Sequence, residues 1–250
     1  EGAGANAKKS KTSTEFPLGE ASLLEKAYQF PWESSVTGGE TIPGPSRLQH
    51  HITGTVAFAM QKAADLDLVT QDQARKVGEG AAYFWLARSQ KRADGTYEVK
   101  QTMSPDEHHI GDNDLYTNLV AEWTIRKYLP KMERKFYLPK DETSFLTYDR
   151  DGLKSYKQTA ALLAVYPLQY PRAVAQAGVM FDRFSTKVTK RGPAMSDSIH
   201  SLIAARLGRT DEAYSLWRRS WFDFTRSSLM AFSEKRVTAD RTTFITGSAG

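Results

Sequence analysis

With 250 residues, 40% of them hydrophobic and 11% aromatic, the chain is long enough for one large domain or two small ones and too apolar to be disordered throughout. Its 34 basic and 29 acidic residues are mixed along the chain, so the net charge of +5 lacks the clustering that a nucleic-acid footprint requires. The absence of cysteine excludes a disulfide framework and thiolate metal sites, and no apolar run reaches the length of a membrane span.

In chain order, residues 1–14 are Gly, Ala, Ser, Thr and Lys without apolar periodicity, which predicts a flexible lead-in ahead of a folded segment over 15–250. Glu1-Gly-Ala-Gly-Ala5 lacks the apolar core of a secretory signal, and none of Asn6, Asn113 and Asn118 opens a glycosylation sequon. A short apolar patch over 22–28 leads into Phe30-Pro-Trp-Glu-Ser34, where the proline breaks helix and Trp32 stands beside Glu33. Residues 36–48 are rich in Gly, Pro, Thr and Ser and predict a long irregular loop.

Helical pattern then dominates. Residues 51–69 and 71–91 carry apolar residues at helical spacing, Val77, Ala81, Phe84 and Trp85 among them, and Asp94-Gly95 marks a turn. A helix over 115–128 follows, with Asp112, Asn113 and Asp114 where its cap belongs. Residues 131–151 form a charged connection. Residues 157–166 read as a nearly all-apolar helix, opened by Lys157-Gln158 and buried between other elements. Another helix is predicted over 170–185, with Pro171 in its first turn. A helix pair spans 196–207 and 211–224. Trp85, Trp123, Trp217 and Trp221 lie at helical spacing and are expected in the core. Residues 242–247 are the one strand-like run, so the predicted class is all-α.

Four polar islands interrupt this scaffold: Trp32-Glu33, Pro105-Asp-Glu-His-His109, Lys157-Gln158 and Ser233-Glu234. Each borders a helix. Taken alone, the second reads as an acidic loop capping the helix behind it. Glu107 and Glu234, on separate segments, are also the two carboxylates that glycoside hydrolysis needs, one protonated to release the leaving oxygen and one ionised to activate water. Spacing alone does not show that they face each other.

The order and wording of these islands resemble the family 65 glycoside hydrolases and phosphorylases, in particular the branch of acid trehalase and protein glucosylgalactosylhydroxylysine glucosidase. That family's acid loop reads Pro-Asp-Glu-Tyr-His and then Val-Asp-Asn-Asn-Ala-Tyr-Thr-Asn. This chain has Pro105-Asp-Glu-His-His109 and then Gly111-Asp-Asn-Asp-Leu-Tyr-Thr-Asn118, with His108 for the tyrosine and one residue fewer. The family's Pro-Trp-Glu-Ser appears at Pro31-Trp-Glu-Ser34, and its His-Ile-Asn-Gly motif as Gln49-His-His-Ile-Thr-Gly54. Lys157-Gln158 through Tyr166-Pro167, Gly192-Pro-Ala-Met195 and Phe244-Ile-Thr-Gly247 continue the likeness, and the hydrolase branch's Trp-Thr-Glu falls on Phe232-Ser-Glu234.

The resemblance implies an (α/α)6 barrel, a six-hairpin toroid, over residues 15–250, and inverting hydrolysis of an α-linked glucoside, trehalose-like or glucosyl-galactosyl. Glu107 would be the general acid and Glu234 the general base, about 6.5–9.5 Å apart so that a water fits between them and the sugar. Trp32, Glu33, His51, Lys157 and Gln158 would bind substrate. It implies no cofactor and no metal, despite His51, His108 and His109, and a small carbohydrate as the partner rather than nucleic acid or membrane. An acid-trehalase-like protein would be extracellular, vacuolar or lysosomal. Family members carry an N-terminal β-sandwich and further barrel helices ahead of Pro-Trp-Glu-Ser, so an incomplete barrel is expected here. The missing N-terminal part of the protein, as a second chain, would complete it. An open seam would leave an apolar patch along the first or last helix. The alternatives are a phosphorylase, which has a phosphate site in place of the base, and an inactive helical domain that binds sugar.

Overall fold

A computed structural model describes residues 18–32, 45–190, 192–226, 228, 230–234 and 236. The lead-in over 1–14, Glu33, most of the 36–48 loop and the run over 242–247 lie outside the described residues. The chain divides into two compact units, Glu1–Pro139 with Tyr148–Arg150, and Lys140–Thr147 with Asp151–Gly250. The described residues are mostly helical.

In the first unit, a 3-10 turn at Ala21–Lys26 precedes three helices that pack on one another: α1 His51–Asp65, α2 Gln71–Arg88 and α3 Leu115–Tyr128. α2 starts where it does because Thr70 and Gln73 form a capping box, each side chain accepting from the other's backbone N–H at 3.1 and 2.9 Å. α3 starts at Leu115 because the Asp114 carboxylate accepts from the Thr117 N–H at 2.7 Å. α1 and α3 approach closely at Gly54, where a Cβ would stand 2.6 Å from Val120 Cγ2. Leu24, Phe84, Trp85, Leu115, Leu119 and Ile125 fill the interior, while Trp123 is half-buried on Phe58.

Two antiparallel ladders of two residues each link α2 to α3. β1 Gln90–Lys91 pairs with β2 Tyr97–Glu98 around the Asp94-Gly95 turn, with Gly95 at φ +83°. β3 Thr102–Met103 pairs with β4 Ile110–Gly111. Strand pairs this short leave no period-two pattern in the sequence, and none was expected there.

The second unit departs from expectation in two elements. The apolar run after Lys157-Gln158 is not an α-helix but a 3-10 segment, Ala160–Ala164, fully buried but for Leu163. Burial, not helical propensity, sets its path, and Pro167 ends it within a turn. The single helix expected over 170–185 is broken at Ala175-Gln176 into α4 Pro171–Val174, with its proline at the first position, and α5 Ala177–Phe184.

The hairpin α6 Ala194–Arg206 and α7 Thr210–Phe222 turns through Gly208 at φ +74°. β5 Thr225–Arg226 and β6 Ala231–Phe232 form a third two-residue ladder. Trp217, expected in the core, is 50% exposed, and Trp221 is half-buried. Trp217 lies with Tyr214 and Phe222 on an exposed apolar strip of α7, because the face of that helix toward α6 is taken by Ala213, Leu216 and Ser220.

Candidate active site

Glu107 sits in the six-residue excursion, 104–109, between the paired residues Met103 and Ile110. It is half-buried, and the loop is tied down on either side of Glu107-His108. Asp106, immediately before it, is 0% exposed. The Asp106 N–H donates to Ser104 Oγ at 2.9 Å, its carbonyl accepts from the His109 N–H at 3.1 Å, and its carboxylate lies 2.6 Å from His109 Nδ1. The His109 ring stacks on Tyr148 with centroids 6.4 Å apart.

Both strands under this loop are held from the helix ends. On the β3 side, the buried Arg88 at the end of α2 donates to the carbonyls of Lys100 and Gln101, and its Nε lies 3.2 Å from His50 Nδ1. Burial draws the guanidinium pKa down to about 9, so it keeps its charge at neutral pH. His51, in the first turn of α1, hydrogen-bonds the Met103 backbone; burial lowers its pKa to about 4 and leaves it neutral. On the β4 side, Asn113 takes the left-handed conformation at φ +57°. Its amide accepts from Val99 N–H and Asn118 Nδ2 at 3.3 and 3.1 Å, and donates to Asp149 at 2.8 Å.

His51, expected to touch substrate, is 5% exposed and is tied to Met103 at the base of the Glu107 loop. Thr53 and Gly54 of the same motif are structural: Thr53 Oγ1 accepts the Phe30 N–H at 3.1 Å, and Gly54 faces Val120. Trp32 is half-buried, two residues beyond that tie to Phe30. Glu33 lies outside the described residues.

Lys157, Gln158 and Glu234 belong to the second unit. Lys157 and Gln158 are half-buried and pinned on both sides. Tyr156 exchanges backbone bonds with Lys187 and Thr189 at 2.8 Å each, and Thr159 Oγ1 lies 2.8 Å from Nε2 of the buried His200. Gly192 explains the start of Gly192-Pro-Ala-Met195: a Cβ there would stand 2.5 Å from Val188 Cγ1 and 2.9 Å from the Lys157 carbonyl oxygen. The two motifs are in contact, and only glycine leaves room for the Lys157 backbone.

Glu234, half-buried, follows β6, where the Ser233 N–H donates to the Phe224 carbonyl at 2.8 Å. Two residues on, Arg236 donates to the buried Asp197 of α6 at 2.8 Å and to Asp223, and Arg219 adds a bidentate pair to Asp197 at 2.9 and 2.7 Å. Burial opposes ionisation of Asp197, but the two guanidiniums outweigh it and hold its pKa below the usual carboxylate range. A cavity of about 650 Å³ beside this cluster is lined by Lys190, Asp197, Glu212 and Arg219 among others, and by none of the predicted site residues. Among the described residues no cluster of three or more His, Asp or Glu is arranged to hold a metal ion.

The model of the glycosyl hydrolase family 65 central catalytic domain matches residues 1–145, more than half of the chain. The chain belongs to glycosyl hydrolase family 65. A kojibiose hydrolase of Mucilaginibacter mallensis is 29% identical over 224 residues, covering 78% of this chain and 32% of that protein. A protein-glucosylgalactosylhydroxylysine glucosidase of Danio rerio is 26% identical over 250 residues, covering 90% and 38%. A kojibiose phosphorylase of Thermoanaerobacter brockii is 36% identical over 124 residues, or 42% of this chain and 16% of that protein. The chain thus spans about a third of the length of the hydrolase and glucosidase relatives. A solved structure from the human microbiome bearing the name of a kojibiose phosphorylase shares the fold, with a TM-score of 0.62 at 16% identity over 81% of this chain and 40% of that one.

The stretch matched by the family 65 model contains Trp32, Glu33, His51 and Glu107; Lys157, Gln158 and Glu234 lie beyond it. Asp106, Arg88, His200 and Asp197 were not singled out from sequence. Of these only Asp106 left a local signal, an acid three residues before a histidine; the others act across 12 to 41 residues of chain.

Proposed function

We propose that this chain is the catalytic segment of an inverting glycoside hydrolase acting on an α-linked glucoside of the kojibiose or glucosyl-galactosyl kind. Glu107 gives its proton to the glycosidic oxygen as the bond to the anomeric carbon breaks. Glu234 takes a proton from the water whose oxygen bonds to that carbon from the opposite face. Lys157 and Gln158 hydrogen-bond sugar hydroxyls, Trp32 lines an apolar sugar face, and Glu33 and His51 belong to the substrate's surroundings, His51 through the loop that it braces. The helices of both units are read as part of an (α/α)6 barrel.

The observation that carries this reading is the half-buried Glu107 on a loop fixed at every turn, in the Pro-Asp-Glu setting of a family 65 chain. A carboxyl held that firmly suits proton delivery to one atom, where a misplacement of about 1 Å costs on the order of 100-fold. Hydrolysis is preferred to phosphorolysis because the hydrolase branch's Trp-Thr-Glu falls on Phe232-Ser-Glu234, which offers a base where a phosphorylase has a phosphate site.

The test is glucose release from kojibiose and from a glucosyl-galactosyl substrate by the intact protein, with the product anomer followed by NMR. Glu107→Gln and Glu234→Gln are each expected to lose on the order of 1,000-fold in kcat, well within what acid and base groups contribute together. The first product is expected to be β-glucose. Turnover that depends on phosphate, or full activity in Glu107→Gln, would overturn the reading.

A further inference from the structure

We propose that Asp106 and His109 are a positioning pair for Glu107, holding the general acid in register with the leaving oxygen. The inference rests on the reading of Glu107 as that acid. Asp106 precedes Glu107 and is wholly buried, while His109 follows two residues later and is partly exposed. Their side chains meet at 2.6 Å and their backbones at 3.1 Å, so the two together close a turn around Glu107-His108. Ser104 fixes the entry to that turn, and the stack of His109 on Tyr148 fixes its exit.

A helix-capping loop has no use for a buried carboxylate at this point, since the cap itself is made by Asp114. Burying a carboxylate with a hydrogen-bonded partner adds little net stability compared with apolar residues of similar volume. What it can supply is a single geometry, which an acid that must meet one oxygen atom requires. Neither side chain takes part in proton transfer; both act through the backbone that carries Glu107.

The experiment compares two substrates on the intact protein. Kojibiose has a leaving oxygen that needs protonation, whereas fluoride leaving from a glucosyl fluoride needs far less help. Asp106→Ala and His109→Ala are expected to lower kcat on kojibiose by about 10- to 100-fold, with KM changed less than about threefold. Hydrolysis of the fluoride should hold within about threefold of wild type. Asp106→Asn, which still accepts from His109, is expected to recover most of the loss. Melting temperatures identify any variant that fails to fold, and His109→Gln, at a partly exposed position, then carries the comparison.

Equal loss on both substrates would make the pair merely structural and overturn the inference, as would wild-type kcat on kojibiose in folded Asp106→Ala. Wild-type protein inactive on both substrates, or Glu107→Gln active on kojibiose, would instead overturn the reading of Glu107 and the inference with it.

Discussion

The two segments that carry the candidate acid and base are built alike and secured differently. Each adjoins an antiparallel ladder of two residues, β3–β4 for Glu107 and β5–β6 for Glu234. The acid loop is closed on itself by Ser104, Asp106 and His109, partners within three residues of one another. The base segment is anchored by Arg236 to carboxylates 13 and 39 positions away, Asp223 and Asp197. A loop closed by near neighbours keeps those partners at a fixed spacing, so Pro105-Asp-Glu-His-His109 is readable as a motif despite His108. A segment held from a distance can change its wording while the distant partner keeps its place. Phe232-Ser-Glu234 accordingly matches its family pattern only through its glutamate.

The same contrast sets three measurements, beginning with the largest effect. His51 in the first unit and His200 in the second are buried, and burial lowers each pKa to about 4, whereas an unfolded histidine titrates near 6.5. The sign follows from proton uptake. Below pH 6.5 the unfolded chain binds protons that the folded chain refuses, so stability present at pH 7 is lost as the pH falls toward 4. At about 1.4 kcal/mol per pKa unit, each histidine is expected to remove on the order of 3 kcal/mol by pH 4. Urea titrations at pH 7, 5.5 and 4.5 measure the slope, and His51→Asn or His200→Asn should flatten it. A slope unchanged in both variants would mean that neither histidine is kept neutral by its unit.

A smaller effect separates packing from binding. Gly54→Ala and Gly192→Ala each force a Cβ to within about 2.5 Å of a valine methyl, and overpacking of this kind costs about 1–3 kcal/mol. Only Gly192→Ala also presses on the Lys157 carbonyl. Both should lower the melting temperature, and Gly192→Ala alone should raise KM, by several-fold. Equal KM values in the two would remove Lys157 from the substrate's surroundings.

The smallest effect is expected at Trp217, set against the buried Trp85. Trp85→Ala, at a fully buried position of the first unit, is expected to cost about 3–5 kcal/mol. Trp217→Ala, half-exposed on α7, should cost less than about 1 kcal/mol. Comparable losses would place Trp217 against something that covers it in solution.

The sequence by itself determined the helical class, the bounds of α3 to the residue, the helix pair at the C-terminal side, and the family, through seven ordered motifs. These are local features, legible wherever a cap, a glycine or an apolar period writes them into neighbouring positions. Tertiary structure decided the rest. The apolar run after Gln158 reads as a helix and is a 3-10 turn buried but for Leu163, because packing outweighs propensity. His51 reads as a ligand, and its backbone partner Met103, 52 positions on, ties it to the strand beneath the Glu107 loop. Gly192 reads as a motif letter and is a space left for Lys157. In the last two cases the deciding atom lies tens of residues away along the chain, where no local pattern could record it.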